Sequence, residues 1–195
     1  MMFRRRFVLA ALAAPVAARA ETSLIGALRR GGHAVYMRHA ITDRSQADTG
    51  RLGDRAGQRN LSEAGRAQAA AIGRALAALD IPIGEVLASP VFRSADTAEL
   101  AFGAGRFRVE PFLTADDYTH DAALLSANIA RTRARLAEPP RGGNDILVGH
   151  IVPLAMILGR PVAQAEFPEG ALAVFEPRTG LLGVIGAEQL IAAAA

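Results

Sequence analysis

The chain is organised around one stretch, Ala34-Val35-Tyr36-Met37-Arg38-His39-Ala40. Its apolar first half follows Gly31-Gly32, and its end passes into a polar segment, a pattern that predicts a buried β-strand. Arg38 and His39 then stand at the carboxyl end of that strand, where open α/β sheets bind their ligands. A guanidinium beside an imidazole at this position predicts a site that holds and attacks an anionic group.

The composition excludes several kinds of chemistry. The 195 residues, about half of them hydrophobic, predict one domain with a sizeable core rather than a disordered chain. The absence of cysteine excludes disulfides, thiolate nucleophiles and cysteine-ligated zinc. The absence of lysine excludes a lysine Schiff base. The four histidines are not at ligand spacing on one element, so we expect no metal site.

The first twenty residues are typical of an export signal. A basic start is followed by an apolar stretch too short to span a membrane and by the cleavage motif Ala18-Arg19-Ala20. The pair Arg4-Arg5 resembles a twin-arginine signal, with a Sec signal and an uncleaved anchor as the alternatives. We therefore expect residues 1–20 to be removed and residues 21–195 to form a single periplasmic domain with no stable membrane anchor.

Removal of the signal also changes the charge. Residues 1–20 carry four of the 22 basic residues and no acid, so 18 basic and 19 acidic residues remain. A mature chain without a basic excess and with 5% aromatic residues is a poor platform for nucleic acid. We expect a small-molecule partner instead.

Strand and helix patterns alternate along the chain. Apolar runs predict strands at 34–38, 84–89, 106–110 and 145–149, and a hairpin over 171–175 and 181–185. Helical patterns separate the first four strands, and Ser89 is expected to cap a helix that begins at Pro90. This order predicts a three-layer α/β/α sandwich around a mostly parallel sheet.

Three strand ends carry related side chains. Arg38 and His39 follow the first strand, Arg93 lies in the first turn of the helix after the second, and His150 follows the strand at 145–149. Because the carboxyl ends of parallel strands share one edge, these groups should converge into an anion site. Guanidinium groups can hold phosphate oxygens in pairs. The long polar loop over 41–60 adds two candidate substrate contacts, Arg44 and Arg59.

Four motifs in order resemble the histidine phosphatase superfamily, which includes the phosphoglycerate mutases. They are Arg38-His39-Ala40, Leu61-Ser62-Glu63-Ala64-Gly65-Arg66-Ala67-Gln68-Ala69, Ser89-Pro90-Val91-Phe92-Arg93-Ser94-Ala95-Asp96-Thr97-Ala98 and Val148-Gly149-His150. The resemblance spans about residues 34 to 155. Two positions depart from the family pattern, because Ala40 and Ile151 stand where relatives carry glycine. Alanine at position 40 is tolerable unless the backbone there needs a positive φ.

The resemblance implies a phosphoglycerate mutase-like fold and a metal-independent phosphomonoesterase without a cofactor. It makes His39 the nucleophile that forms a phosphohistidine, while Arg38, Arg93 and His150 bind the transferring phosphoryl group of a small substrate. A phosphoglycerate-mutase-like phosphotransferase is one alternative. A non-catalytic binder of phosphorylated envelope ligands is the other.

The identity of a general acid stays open at this stage. Relatives often carry a glutamate shortly after the third strand, and the matching position here is Ala115. The adjacent Asp116 is the first candidate and Asp117 the second, while simple phosphatases of the family can lack a dedicated acid. Glu166 and Glu169, before the hairpin, are more distant candidates.

Overall fold

The computed structural model describes residues 23–195, so the predicted export signal at 1–20 lies outside the described residues. The strands are β1 (Ala34–Arg38), β2 (Ile83–Ala88), β3 (Arg108–Val109), β4 (Asn144–Gly149), β5 (Leu172–Glu176) and β6 (Gly180–Ile185). The helices are α1 (23–30), α2 (Glu63–Ala78), α3 (Phe92–Phe102), α4 (Ala122–Ala137), α5 (Ile151–Leu158) and α6 (Ala187–Ala193).

All six strands of the described part form one sheet in the order β3-β2-β4-β1-β5-β6. The first four in this order run parallel, whereas β5 is antiparallel to β1 and forms a hairpin with β6. The predicted, mostly parallel sheet is therefore confirmed. In the register of the two central strands Arg38 lies opposite Gly149, and the His39 N–H donates to the Gly149 carbonyl at 3.0 Å. The residues that follow both strands therefore start from the same edge.

Side chains alternate across the sheet and build two core layers. Val35 and Met37 of β1 pack in a cluster that includes side chains of α1, α2, α3 and α6. Ala34 and Tyr36 face the opposite cluster, which includes side chains of α4 and α5. Helices on both faces of the sheet give the predicted three-layer sandwich. Within residues 23–195, no helix is long and apolar enough to cross a membrane.

The start of one helix differs from the sequence-based prediction, and one further helix was not predicted. Helix α3 begins at Phe92 with Val91 in the N-cap position, so the predicted start at Pro90 with a Ser89 cap is wrong. The N–H of Phe92 is instead capped by the side-chain oxygen of Gln58 at 2.9 Å, a contact that no local pattern announces. The alanine-rich tail also forms a helix, α6, because Leu190 is fully buried in the core.

Candidate active site

A pocket of about 210 Å³ lies at the carboxyl edge of β1 and β4. All seven site residues predicted from the sequence line it: Arg38, His39, Arg44, Arg59, Arg93, Asp116 and His150. Asp117 and Glu169 line it as well. Glu166 does not; it pairs with Arg160 and lines a neighbouring cavity. Ala115 is fully buried, so the position that matches the family glutamate does not reach the pocket.

His39 directly follows β1 and is buried. Its Nδ1 lies 2.9 Å from the Ala40 carbonyl oxygen, which can only accept a hydrogen bond. Nδ1 must therefore carry the proton, which leaves the Nε2 lone pair free. Burial, followed by the positive charge of Arg93, lowers the pKa of His39 to about 3. At neutral pH the imidazole is therefore uncharged, the form that can act as a nucleophile.

The segment after His39 is fixed by its own hydrogen bonds. The Ala40 N–H donates to Thr97 Oγ1 at 3.0 Å, and the Ile41 N–H donates to Gln68 Oε1 at 3.1 Å. Ala40 has a negative φ, so its side chain fits where relatives carry glycine. The acceptor that sets the His39 tautomer is thus held in place by α2 and α3.

His150 faces His39, with ring centroids 5.4 Å apart. Its Nε2 lies 3.0 Å from Ser89 Oγ and 3.3 Å from Ser94 Oγ, while its backbone N–H donates to the Tyr36 hydroxyl at 3.0 Å. Burial, with Arg93 as the next cause, holds the pKa of His150 well below its ordinary value. Both histidines of the pocket are therefore neutral near pH 7.

The guanidinium of Arg38 is held by hydrogen bonds from one of its nitrogens. Its Nη1 donates to Gln164 Oε1 and to the Phe167 carbonyl oxygen, both at 2.7 Å. Its buried Nε has no partner within residues 23–195, and neither does the buried Nδ1 of His150. Arg38 and His150 both line the pocket, where their guanidinium and imidazole groups can meet a ligand. A phosphoryl group, with several acceptor oxygens, has the matching chemistry.

Arg93 projects from the first turn of α3 and is buried. Its Nη1 donates to both carboxylate oxygens of Asp48, at 3.0 and 3.1 Å. Its Nη2 makes a longer contact of 3.5 Å with Asp117. The sequence analysis did not single out Asp48, because one acid in a long polar loop carries no distinguishing local signal.

The two other predicted arginines, Arg44 and Arg59, also line the pocket. Arg44 is largely exposed and pairs with Glu169 at 3.3 Å. The Nε of Arg59 donates to the backbone oxygen of Gln46 at 3.2 Å. Both can therefore contact a substrate in the pocket.

Both candidate acids lie at the pocket, and Asp117 differs from the nearby Asp48 in its affinity for a proton. A short 3-10 turn, Asp116–Tyr118, presents both to the pocket. Burial raises the pKa of Asp117, an effect that Arg93 partly opposes. Asp48 behaves in the opposite way: burial raises its pKa, but hydrogen bonds from Tyr118 and the Arg59 backbone outweigh that effect and lower it. Asp117 therefore holds a proton more readily than Asp48 does.

Comparison with known proteins agrees with this geometry. Residues 35–116 match the model of the histidine phosphatase superfamily (branch 1). The predicted resemblance to the histidine phosphatase superfamily is confirmed. No curated protein sequence matches the chain at a significant level. The superfamily model begins within β1 and ends at Asp116, so it contains every predicted site residue except His150.

Solved phosphatase structures share the fold. The protein histidine phosphatase SixA complexed with tungstate is 17% identical, with a TM-score of 0.53 over 81% of this chain and 99% of that one. The alpha-ribazole phosphatase from Shigella flexneri is 19% identical, with a TM-score of 0.53 over 73% and 89%. The phosphoserine phosphatase from Entamoeba histolytica, in complex with 3-phosphoglyceric acid, is 15% identical, with a TM-score of 0.53 over 81% and 98%. At these identities the likeness establishes the phosphoglycerate mutase-like architecture.

Proposed function

We propose that the protein is a phosphomonoesterase that hydrolyses a phosphate ester through a phosphohistidine on His39, without a metal ion or cofactor. The observation that carries this proposal is a pocket lined by Arg38, Arg93 and His150 beside the neutral His39 imidazole, whose Nδ1 is held by the Ala40 carbonyl so that Nε2 is free. A non-catalytic binder of phosphorylated ligands would not need the nucleophilic form of His39. This feature therefore favours an enzyme over a binding protein.

In the first step His39 Nε2 attacks phosphorus. A nitrogen–phosphorus bond forms while the bond to the ester oxygen breaks, so the phosphoryl group moves from the substrate to the ring. Arg38 and Arg93 would stabilise the negative charge on the phosphoryl oxygens, which is the main catalytic requirement of phosphoryl transfer. The ring becomes positively charged, and the Ala40 carbonyl that accepts from Nδ1 stabilises this charge.

The departing ester oxygen needs a proton. Asp117 is our candidate donor, ahead of Asp116, because it lines the pocket with its carboxylate 3.5 Å from Arg93 Nη2, and because its pKa is raised. In the second step the resulting Asp117 carboxylate would take a proton from water as that water attacks phosphorus. Inorganic phosphate then leaves, and both His39 and Asp117 return to their initial states.

The small pocket favours a small phosphorylated substrate. The names of the similar structures cover a protein histidine phosphatase, an alpha-ribazole phosphatase and a phosphoserine phosphatase, so they support phosphate-ester chemistry without selecting one substrate. The export signal that the sequence predicts at 1–20 supports a periplasmic location. Because mutases usually act in the cytosol, that location favours a hydrolase over a phosphotransferase.

Trapping of the intermediate tests the proposal. The protein is mixed with a ³²P-labelled phosphate ester, quenched in alkali, and analysed for acid-labile phosphate. We expect label on the wild type and on His120→Ala, a control at an exposed histidine outside the pocket, but not on His39→Ala. Turnover of an aryl phosphate by His39→Ala should fall by about 10³-fold or more, because the covalent path is lost.

Two results would contradict the mechanism. Equal labelling of the wild type and His39→Ala would exclude His39 as the nucleophile. Loss of label in His150→Ala with retention in His39→Ala would reverse the roles of the two histidines. Activity measured with a chelator tests whether the reaction needs a metal ion. Activity that disappears with the chelator and returns with added metal would contradict the metal-independent mechanism.

A further inference from the structure

The carboxylate of Asp48 is placed against the guanidinium of Arg93 in the wall of the pocket. Both of its oxygens accept from Nη1, at 3.0 and 3.1 Å, and neither side chain is more than 13% exposed. The mechanism above gives Asp48 no role, because a carboxylate cannot hold an anionic phosphoryl group. A carboxylate of low exposure beside the proposed phosphate-binding arginine therefore needs an explanation.

Asp48 is itself held by two donors. The Tyr118 hydroxyl donates to its Oδ1, and the backbone N–H of Arg59 donates to the same oxygen at 2.8 Å. The Tyr118 ring also lies beside the Arg93 guanidinium, 5.6 Å from centroid to carbon. The contact between Asp48 and Arg93 thus joins three segments that are distant in the sequence.

The 41–60 loop that carries Asp48 is attached to the same helix as Arg93. Arg55 donates to both carboxylate oxygens of Asp96 at 2.7 and 2.9 Å, and its guanidinium lies 4.0 Å from the Phe92 ring centroid. Gln58, which is fully buried, caps the N–H of Phe92. Because these contacts attach the loop to the first turns of α3, a displacement of Asp48 from Arg93 on ligand binding would break several of them.

We propose that Asp48 is a positioning residue for Arg93. It accepts two hydrogen bonds from Nη1 and so fixes the guanidinium in one orientation, in which Nε and Nη2 remain to bind a ligand of the pocket. Within residues 23–195, Nε of Arg93 makes no hydrogen bond and Nη2 makes only the 3.5 Å contact with Asp117. This edge is the one left to receive the phosphoryl oxygens. The inference rests on the proposed function for the ligand, but the orientation of Arg93 can be measured independently of activity.

The size of the effect follows from geometry. Removal of a whole donor from a site of developing charge lowers kcat by about 10²- to 10³-fold. Loss of Asp48 would leave the donor present but misaligned, which costs less, on the order of 10- to 100-fold. The loss should fall mainly on kcat, because alignment matters most in the transition state.

The kinetic test uses the whole protein and an aryl phosphate. Asp48→Asn keeps the side-chain volume but removes the charge and one acceptor, and its kcat should fall by about 10- to 100-fold with KM changed less than about threefold. Tyr118→Phe removes only the hydroxyl that holds Asp48 and should give a smaller loss of a few-fold. The matched control is Asp43→Asn on the same loop, since Asp43 accepts only from Ser45 and Gln46 and does not line the pocket.

A double variant separates positioning from a general structural role. On an Arg93→Ala background, Asp48→Asn should cause no further loss, because the group that it positions is absent. An equal loss on both backgrounds would overturn the proposal. So would an Asp48→Asn variant as fast as the wild type or faster, which would show that the carboxylate competes with the phosphoryl group.

The NMR signal of the Arg93 side chain reports on the orientation of its guanidinium. The Nε–Hε signal of Arg93 is assigned by its disappearance in Arg93→Ala, and we expect it to shift or broaden in Asp48→Asn but not in Asp43→Asn. An unchanged signal in Asp48→Asn would overturn the positioning role. If the wild type hydrolyses no phosphate ester while this signal still responds, the proposed function fails and the contact between Asp48 and Arg93 stands.

Discussion

Replacement of Gly65 with alanine is expected to damage the site although Gly65 does not line it. Gly65 lies in the first turn of α2, where it packs directly on the segment that follows His39. A Cβ at this position would lie 1.8 Å from the carbonyl oxygen of Ile41 and 2.8 Å from its carbon. That carbonyl is held in place by the Ser62 N–H at 3.0 Å, so the clash is with fixed backbone.

The magnitude follows from these distances. Ordinary contact begins at 3.4 Å, so the helix or the Ile41 carbonyl must move by the difference, 1.6 Å. Alanine in a helix normally stabilises by roughly 0.5–1 kcal/mol over glycine, whereas overpacking costs roughly 1–3 kcal/mol. We expect a net loss of about 1–2 kcal/mol in the free energy of unfolding.

The displacement should also reach the nucleophile. Ile41 is bonded to Ala40, whose carbonyl accepts from His39 Nδ1 and so sets the tautomer. A misplacement of about 1 Å in an active site can cost roughly 100-fold in rate, so we expect kcat to fall by about 10- to 100-fold.

Urea unfolding and aryl phosphate turnover, measured on the same preparations, test this prediction with two glycine controls. Gly26→Ala, in α1, would meet only the Arg30 side chain at 3.7 Å and should be slightly stabilised with unchanged kcat. Gly73→Ala would clash with the Ala101 carbonyl at 2.0 Å, at the end of α3 away from Arg93, and should lose stability but keep its kcat. A Gly65→Ala variant as stable and active as the wild type would refute the reasoning. Equal losses of activity in Gly65→Ala and Gly73→Ala would show that destabilisation of the whole fold, rather than displacement of the segment after His39, lowers the activity.

Three further predictions concern pH, proton transfer and export. The pKa of His39 is about 3 in the folded protein and near 6.5 in the unfolded chain. As the pH falls from 6.5 to 3, the unfolded chain therefore binds a proton that the folded protein does not, and the free energy of unfolding decreases. Denaturant unfolding at pH 7 and pH 4.5 should show the wild type losing roughly 2–3 kcal/mol more than His39→Gln, and equal losses would contradict the assignment. Asp117→Asn should slow alkyl phosphates, which need a protonated leaving group, by about 10²-fold or more and 4-nitrophenyl phosphate much less, whereas a uniform loss would argue against a proton donor. Intact-mass analysis of the exported protein should find Glu21 at the N-terminus, and a mature species that starts at Met1 would contradict signal cleavage.

Much of the site could be predicted because its main residues directly follow short sequence patterns that mark the ends of strands. The apolar run before Arg38 and His39 marks a strand, and the run before His150 marks another, whatever the rest of the chain does. Ser62, a residue type that favours helix N-caps, precedes α2, and its Oγ accepts from the Gly65 N–H at 3.0 Å. Parallel order then follows from the alternation of strands and helices, which brings the strand ends to one edge.

The sequence by itself therefore determined the strand ends, the parallel sheet and the convergence of Arg38, His39, Arg93 and His150. Only the tertiary structure decided which groups surround them. Asp48 contacts Arg93 across 45 residues, and Gln58 caps Phe92 across 34, so both depend on the path of an irregular loop. The choice between Asp116 and Asp117 likewise depends on a tertiary contact, that of Asp117 with Arg93, which the sequence of two adjacent acids does not reveal. Local periodicity encodes strands and helices, but a contact between two distant polar side chains exists only once the packed elements fix where each loop runs.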